Sequence, residues 1–295
     1  IKISIWGGAL LIPILLFCQS IPYQQGWPVE IGSPYCNYIR IGDFDNDGKK
    51  DIFLSDKPTN YQQPSLYFFN HNGVIKNGFP IDISGAYPWN YSLSDLNDDG
   101  KMEIIVALHH LGFKIFNSYG EEILSIQKGQ INNCTPCGIS IDDLDNDGIK
   151  EIVVTCYSGG AVFVFEPDGS VRDGWPVLDY NLSTTKAASI GDIDNDGIKE
   201  ILIAAGKLHC FKPNGEYCDG FPFDPGYAVK TKPLLIDFNS DGYMEIVFGT
   251  TGGENAKIWA IDKDGNAVPP YPISMVMYTT SAGKIFQDER YIMIF

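Results

Sequence analysis

The stretch "GDIDNDGIKEI", Gly191 to Ile201, places four acidic side chains within nine residues and runs directly into apolar residues. The Asn and Gly between the acids are typical of a tight turn. The run that follows, "ILIA", is typical of a short β-strand. Because like charges at this density repel each other, the stretch favours a site where a cation neutralises them.

The same pattern occurs five times along the chain. The copies are "GDFDNDGKKDI" from Gly42, "SDLNDDGKMEI" from Ser94, "DDLDNDGIKEI" from Asp142, "GDIDNDGIKEI" from Gly191 and "IDFNSDGYMEI" from Ile236. Their leading aspartates, at 43, 95, 143, 192 and 237, stand 52, 48, 49 and 45 residues apart. A period of this length is typical of one supersecondary unit stacked on its neighbours.

Each repeat predicts four short strands, A to D. Strand A precedes the acidic loop and strand B follows it, as in "EIVVT". Strand C, as in "AVFVF", ends at an Asn-Gly or Asp-Gly turn, and strand D carries an aromatic-Pro pair such as "GWP". Proline suits an outer edge strand, where its missing N–H removes no ladder bond.

These units predict an all-β protein, a β-propeller of four-stranded blades. The composition agrees, with 31 Gly, 18 Pro, 13% aromatic residues and no long helical pattern. The motif DxDxDGxxE ahead of a β-strand resembles the FG-GAP/VCBS repeats of secreted proteins and of the integrin α-subunit propeller. The resemblance covers residues 23–295 and implies a secreted or cell-surface interaction module.

Two features bear on the blade count. The segment "SAGKIFQDERYIMIF" from Ser281 aligns as a sixth, degenerate unit, with Lys284 and Phe286 in place of two aspartates. "GWPVEI", Gly26 to Ile31, resembles a D strand with no blade before it, so we expect it to complete the last blade as an outer strand and close the ring. We expect six blades, or a truncated seven, over residues 21–295 with the last blade incomplete.

The acidic loop fits a calcium ion. Oxygen ligands at positions 1, 3 and 5, a turn-forming Gly at 6, a carbonyl at 7 and a carboxylate at 9 can wrap a hard cation. The predicted ligands, with position 7 using only its carbonyl, are Asp43, Asp45, Asp47, Lys49 and Asp51; Asp95, Asn97, Asp99, Lys101 and Glu103; Asp143, Asp145, Asp147, Ile149 and Glu151; Asp192, Asp194, Asp196, Ile198 and Glu200; and Asp237, Asn239, Asp241, Tyr243 and Glu245.

Other readings of the loop explain less. An EF-hand carries its last acid at position 12 between helices, whereas β-formers follow these loops at once. Solvated Asn-Asp-Gly turns do not explain five copies that keep the acid at position 9. Mg²⁺ prefers a rigid octahedron with retained waters. We therefore predict about five structural Ca²⁺ sites.

The formal net charge of −16 excludes a typical nucleic-acid partner, which requires clustered Lys and Arg. Five bound Ca²⁺ ions would bring the charge from −16 to −6, because each carries two positive charges.

The first 20 residues predict a secretory signal peptide, with one Lys, an apolar core and a small residue, Ser20, before the expected cut. An uncleaved anchor is the alternative, disfavoured because the run is short and contains Pro13. Beyond this segment no membrane insertion is expected, and the protein is predicted to be secreted or at the cell surface.

Six cysteines follow the signal segment, which suits an oxidising compartment. Pairing strands A and B brings Cys156 opposite residue 138, so we predict a Cys137–Cys156 disulfide. Cys210 and Cys218 flank a turn and predict a second. Cys36 and Cys134 have no assigned partner, and a local Cys134–Cys137 bond stays open. The CxxC lacks the second ligand pair that a zinc site requires.

The face opposite the acidic loops is the predicted binding surface, because it gathers aromatic residues around a concavity. The candidates are Tyr35, Tyr61, Tyr87, Trp89, Tyr157, Tyr180 and Tyr227. Packing between blades is the alternative role for several of them. The sequons at Asn90, Asn133 and Asn181 are expected in D–A connections on the same face.

Function is predicted to be non-catalytic binding of a protein or glycan, as in adhesion. The sequence contains no GxSxG, HExxH, P-loop or dinucleotide motif, and no catalytic residue is assigned. His109 and His110 are expected on opposite sides of a strand. The alternatives are a polysaccharide lyase, with Lys186, Lys230 or Tyr227 as base, or a scaffold part of a larger surface protein.

Overall fold

The computed structural model describes residues 25–31, 36–56, 64–83, 87–251 and 256–274. Besides two 3-10 turns, at Lys128–Ile131 and Tyr180–Leu182, the regular structure of these residues is β-strand. The strands form five antiparallel sheets in chain order, called blades 1 to 5 below. The predicted all-β class is therefore confirmed for the described part of the chain.

The strands of each blade follow one another along the chain. Blade 1 contains β1 (Cys36–Gly42), β2 (Asp51–Asp56), β3 (Ser65–Phe69) and β4 (Ile81–Asp82). Blade 2 contains β5 (Pro88–Ser94), β6 (Glu103–Leu108), β7 (Gly112–Phe116) and β8 (Glu122–Gln127). Blade 3 contains β9 (Thr135–Asp142), β10 (Glu151–Ser158), β11 (Ala161–Phe165) and β12 (Val177–Leu178). Blade 4 contains β13 (Ser189–Gly191), β14 (Glu200–Ala205) and β15 (Lys207–Phe211), and blade 5 contains β16 (Leu234–Ile236), β17 (Glu245–Gly249), β18 (Lys257–Ile261) and β19 (Ile273–Ser274).

The predicted A-B-C-D order is confirmed in four blades. In blade 4, the described residues form three strands, and an isolated bridge from Leu208 to Phe223 stands where strand D would lie. The D strands of blades 1, 3 and 5 contain only two residues each. The aromatic-Pro pairs lie just before these strands rather than within them, which leaves the proline outside the ladder.

Neighbouring blades share hydrophobic cores. On strand β14, Ile201 and Ile203 belong to the core with blade 3, whereas Leu202 and Ala204 belong to the core with blade 5. Strand side chains alternate between the two faces of a sheet, so a strand between two blades is apolar at every position. This is why the B strands appear in the sequence as continuous apolar runs.

The aromatic-Pro motif connects one blade to the next. Trp175 donates its indole N–H to the carbonyl of Pro213 in the C–D turn of blade 4, at 2.8 Å. A Cβ at Gly174 would lie 1.9 Å from the carbonyl oxygen of Asn214, so only glycine allows this approach. Trp27 makes the equivalent bond to the carbonyl of His71 in blade 1, at 3.1 Å.

The segment around Trp27 thus lies against blade 1 as the motif of a preceding blade would. Residues 25–31 are not a strand in the structure, so ring closure by this segment stays a prediction. The sixth unit and the signal segment lie outside the described residues, and the blade count stays a prediction as well. Among the described residues, no helix is long and apolar enough to cross a membrane.

Strand pairing places the acid of position 9 at the same point in every blade. It is the first residue of strand B, and it pairs with the last residue of strand A, as Glu200 pairs with Gly191. The same register joins Asp51 to Gly42 and Glu151 to Asp142. The hairpin therefore closes a loop of constant length around the acidic side chains.

Candidate metal centres and the opposite face

Carboxylates hold each A–B loop in one conformation. In blade 4, Asp192 accepts hydrogen bonds from the N–H groups of Asp196 at 3.1 Å and Gly197 at 2.9 Å. Asp196 in turn accepts from the N–H of Ile198 at 2.8 Å. The same three contacts recur in the other four loops. The backbone is left-handed at Asn195 and Gly197, a conformation that favours these two residue types.

The acid at position 9 is the most buried of the acids in each loop. Its exposed fraction is between 0% and 4% in the five blades. One of its oxygens accepts the N–H of position 2 at 2.8–3.3 Å, as Glu200 accepts from Ile193. A carboxylate buried this far is costly unless a cation or further donors compensate it.

Positions 1, 3 and 9 come together where all three are acids. One oxygen from each lies within 4.8 Å of the others in three groups: Asp43, Asp45 and Asp51; Asp143, Asp145 and Glu151; and Asp192, Asp194 and Glu200. The position-5 aspartates lie outside these groups and are exposed. The donor set suits Ca²⁺, which binds carboxylate oxygens at about 2.3–2.6 Å. Metal ligation by positions 5 and 7 stays a prediction.

Burial shifts the titration of these acids. Burial raises the pKa of Glu200 to about 7, although the Ile193 N–H opposes it and Asp194 adds to it. Burial likewise raises the pKa of Asp51 to about 6. The Glu200 carboxyl thus lacks compensation for its charge, whereas a basic side chain lies near Asp51.

In blades 1 and 3 a basic side chain of the same blade reaches the cluster. Lys76 contacts Asp45, and its Nζ lies 3.8 Å from Oδ1 of Asp51. The guanidinium of Arg172 contacts Asp145 and lies 2.8 Å from Oε1 of Glu151. Neither residue is among the site residues predicted from the sequence.

In blades 2 and 5 position 3 is an asparagine. Nδ2 of Asn239 donates to Oε1 of Glu245 at 2.8 Å and to Oδ2 of Asp241 at 2.9 Å. Nδ2 of Asn97 donates to Oε1 of Glu103 at 3.5 Å. Calcium binding here would require the amide oxygen, instead of this nitrogen, to face the ion.

The acidic cluster of blade 4 has neither a basic partner among the described residues nor an asparagine at position 3. Within the described residues no Lys, Arg or His forms an ion pair with Asp192, Asp194 or Glu200. Oδ1 of Asp194 is buried without a hydrogen-bond partner, as are Oδ1 of Asp51 and Oε1 of Glu151, but those two have a basic nitrogen within 4 Å. The cluster adjoins an open cavity of about 750 Å³ whose other wall includes Arg172. Blade 4 thus fits a divalent cation better than the other described loops.

Lysines at position 8 link successive loops. Nζ of Lys199 in blade 4 lies 2.5 Å from Oδ1 of Asp142 in blade 3. Nζ of Lys150 donates to the carbonyl of Asp95 in blade 2 at 2.6 Å. These contacts bind one loop to the preceding one without entering the acidic clusters.

An aromatic cluster lies on the opposite face. Trp89 lies 4.5 Å from His109 and 5.0 Å from Tyr157, measured between ring centroids. The rings of His109 and His110 lie 3.7 Å apart at an interplanar angle of 47°, so the expectation that these two histidines diverge is wrong. They occupy the tight turn between β6 and β7, where His110 is left-handed, rather than a strand. Burial lowers the pKa of His109.

The remaining candidates are dispersed. Tyr157 also lines a cavity of about 190 Å³ that contains Lys186 and Lys230. Tyr87, Tyr180 and Tyr227 are 48%, 89% and 41% exposed, and no aromatic pairing joins them to the cluster. Tyr35 and Tyr61 lie outside the described residues. Of the sequons, Asn133 and Asn181 are exposed, whereas Asn90 is half-buried in β5 rather than in a D–A connection.

The disulfides differ partly from the prediction. Cys210–Cys218 is confirmed, but Cys156 bonds to Cys134 and not to Cys137. The reason is a β-bulge: Thr155 pairs with Gly138, and Cys156 then pairs with Pro136. The bulge turns Cys137 away, where its buried thiol donates to the carbonyl of Thr184 at 3.0 Å.

Comparison with known proteins agrees with this architecture. The family model described as FG-GAP-like repeat matches residues 43–106 and 143–203, which contain the acidic loops of blades 1 to 4. This chain carries FG-GAP-like repeats. A comparison with curated proteins found no match.

Solved structures share the fold of these repeats. The biofilm matrix protein Bap1 of V. cholerae is 17% identical with a TM-score of 0.58, over 86% of this chain and 42% of that one. Sqt1 of Saccharomyces cerevisiae is 10% identical with a TM-score of 0.54, over 74% and 57%. The PilY1 C-terminal domain of Pseudomonas aeruginosa is 12% identical with a TM-score of 0.50, over 73% and 59%. The chain thus spans about half the length of these structures, and the likeness shows a β-propeller-like fold alone.

Proposed function

We propose that this chain is a calcium-stabilised, extracellular β-propeller module that binds a protein or glycan without catalysis. The observation that carries the calcium assignment is the blade 4 cluster. There a buried Glu200 lies with Asp192 and Asp194 within 4.8 Å, and no basic side chain of the described residues pairs with them. Three carboxylates at this distance repel each other unless a proton or a cation neutralises them, and a divalent cation does so without loss of a ligand.

Two further features support the proposal. The Cys134–Cys156 and Cys210–Cys218 disulfides suit an oxidising compartment. Trp89 and Tyr157, on the face away from the acidic loops, offer adjoining aromatic surfaces, and Tyr157 is 50% exposed. Such surfaces suit sugar rings or a protein partner.

Thermal unfolding in excess calcium and in excess EDTA tests the calcium assignment. One site at a calcium concentration a hundred times its Kd adds about 2.7 kcal/mol to the free energy of unfolding. We expect EDTA to lower the melting temperature, and calcium, but not magnesium at equal concentration, to restore it. A melting temperature independent of both ions would contradict the proposal.

A glycan array probed with the calcium-loaded chain tests the binding face. We expect any ligand found to lose affinity with Trp89→Ala or Tyr157→Ala. Tyr119→Ala is the matched control, because Tyr119 is 57% exposed but lies in a C–D turn on the side of the acidic loops. Equal losses for all three variants would remove the binding face from the proposal.

A lyase is the second candidate, because Lys186 and Lys230 line one cavity with Tyr157. A basic side chain there is a candidate base for a uronic-acid polysaccharide. Absorbance of an unsaturated product separates the two classes: its appearance with the parent chain and its loss in Lys186→Ala or Lys230→Ala would favour the enzyme. A scaffold role within a larger surface protein is the third candidate, and the full open reading frame tests it.

A further inference from the structure

Lys76 and Arg172 occupy one structural position in their blades. The N–H of Lys76 bonds to the carbonyl of Phe68, and that of Arg172 bonds to the carbonyl of Val164. Cys218 in blade 4 and Val268 in blade 5 make the same backbone hydrogen bond, so they occupy the equivalent position. The position is therefore basic in blades 1 and 3 and uncharged in blades 4 and 5.

Both basic side chains contact the acids at positions 3 and 9. Lys76 contacts Asp45 and lies 3.8 Å from Asp51, and the Lys76 side chain is 19% exposed. Arg172 contacts Asp145 and lies 2.8 Å from Glu151, with 18% of its side chain exposed. Both acids at position 9 are 0% exposed. The amine and the guanidinium thus supply a positive charge to carboxylates that water does not reach.

A basic side chain and a divalent cation compete for these acids. Calcium would bind the same carboxylates at about 2.3–2.6 Å, which places the ion close to any amine or guanidinium nitrogen that still contacts both acids. Two positive charges at this distance also repel each other strongly in a partly buried site. One must leave for the other to enter.

We propose that Lys76 and Arg172 are built-in counter-cations that replace the metal ion in the loops of blades 1 and 3. The loop of blade 4, whose equivalent residue is the disulfide-bonded Cys218, depends on a metal ion instead. This inference rests on the proposed calcium binding, and it lowers the expected number of strong sites below the five that the repeat count predicts.

Calcium stoichiometry by isothermal titration tests the proposal with the whole chain. Arg172→Ala and Lys76→Ala are each expected to bind one more calcium equivalent than the parent chain. Arg172→Lys is expected to keep the parent stoichiometry, because it keeps the charge. Lys114→Ala is the matched control, since its 2.6 Å ion pair is with Glu122, which is not an acid of an acidic loop.

Each outcome decides between the two proposals. A parent chain that binds calcium and an Arg172→Ala variant that gains no site would overturn the counter-cation role alone. No calcium binding by any of the chains would overturn the calcium assignment itself. Should Arg172→Ala require calcium to fold, the requirement supports the proposal, because the metal then supplies the missing charge. Failure to fold even in excess calcium contradicts it for blade 3, and Lys76→Ala tests blade 1 independently.

Discussion

The acidic loops of blades 3 and 4 are nearly the same peptide in two electrostatic states. "DDLDNDGIKEI" and "GDIDNDGIKEI" differ at two residues, and their backbone hydrogen bonds are the same. Arg172 reaches into the first loop, whereas no basic side chain of the described residues pairs with the second. The residues of such a loop therefore do not determine its charge balance by themselves. That balance depends on a residue more than 20 positions away.

Transferring the basic residue between blades is expected to have the largest effect. Cys210→Ala with Cys218→Arg gives blade 4 the arrangement of blade 3, and we expect the loss of one calcium equivalent in titration. The control, Cys210→Ala with Cys218→Ala, loses the same disulfide, which costs about 2–3 kcal/mol in both variants. The control should keep the calcium site, and equal calcium binding by the two variants would contradict the comparison.

Calcium removal should destabilise the loop of blade 4 more than the loop of blade 3 within one molecule. In EDTA we expect amide hydrogen exchange to accelerate at residues 191–201 more than at residues 142–152. A calcium site at a hundred times its Kd contributes about 2.7 kcal/mol, and only the loop of blade 4 depends on it. Equal acceleration in both segments would show that Arg172 does not substitute for the metal.

Neutralising the acid at position 9 should change the free energy of unfolding of the metal-free protein in opposite directions in blades 4 and 3. Glu200→Gln removes an uncompensated buried charge and keeps an oxygen for the Ile193 N–H, so the free energy of unfolding should rise by about 1–2 kcal/mol. Glu151→Gln takes an ionic partner from Arg172, which keeps Asp145 and Glu166, and should lower it by up to about 3 kcal/mol. Chemical denaturation in EDTA measures both changes. A loss of stability in Glu200→Gln would contradict the assignment.

The pH dependence of the metal-free protein is the smallest expected effect. Because the pKa of Glu200 rises from 4.5 to about 7 on folding, the native state binds the proton more tightly than the unfolded state. Stability should therefore fall as the pH rises through that interval. Glu200→Gln should reduce this slope in EDTA, whereas Ile198→Val, a change in the same loop that leaves the charge unchanged, should not.

Local sequence was sufficient for the strands and the loops. The continuous apolar run in "EILIA" has no period that distinguishes a helix from a strand. Its position after an Asn-Asp-Gly turn indicated a strand. The acid at position 9 was predicted as a ligand, whereas its burial became evident only from the structure. The basic residue had a visible signal too, since "KNGFP" and "RDGWP" carry it two residues before the glycine.

Contacts across strands were not predictable in the same way. The Cys137–Cys156 pairing failed because a single bulge residue in β9 changes which side chains face each other. The two histidines converge because a left-handed residue in a turn reverses the strand rule. Both errors came from irregular backbone geometry, which the residue pattern does not report.

The sequence alone determined the repeat, the all-β class and the acids at positions 1, 3 and 9, because each is a property of neighbouring residues along the chain. Tertiary structure decided which of these clusters already holds a positive charge, and which aromatic side chains meet on the opposite face. Those outcomes depend on side chains from separate strands and blades, and their energies arise only when folding brings the groups together in a site of low dielectric constant.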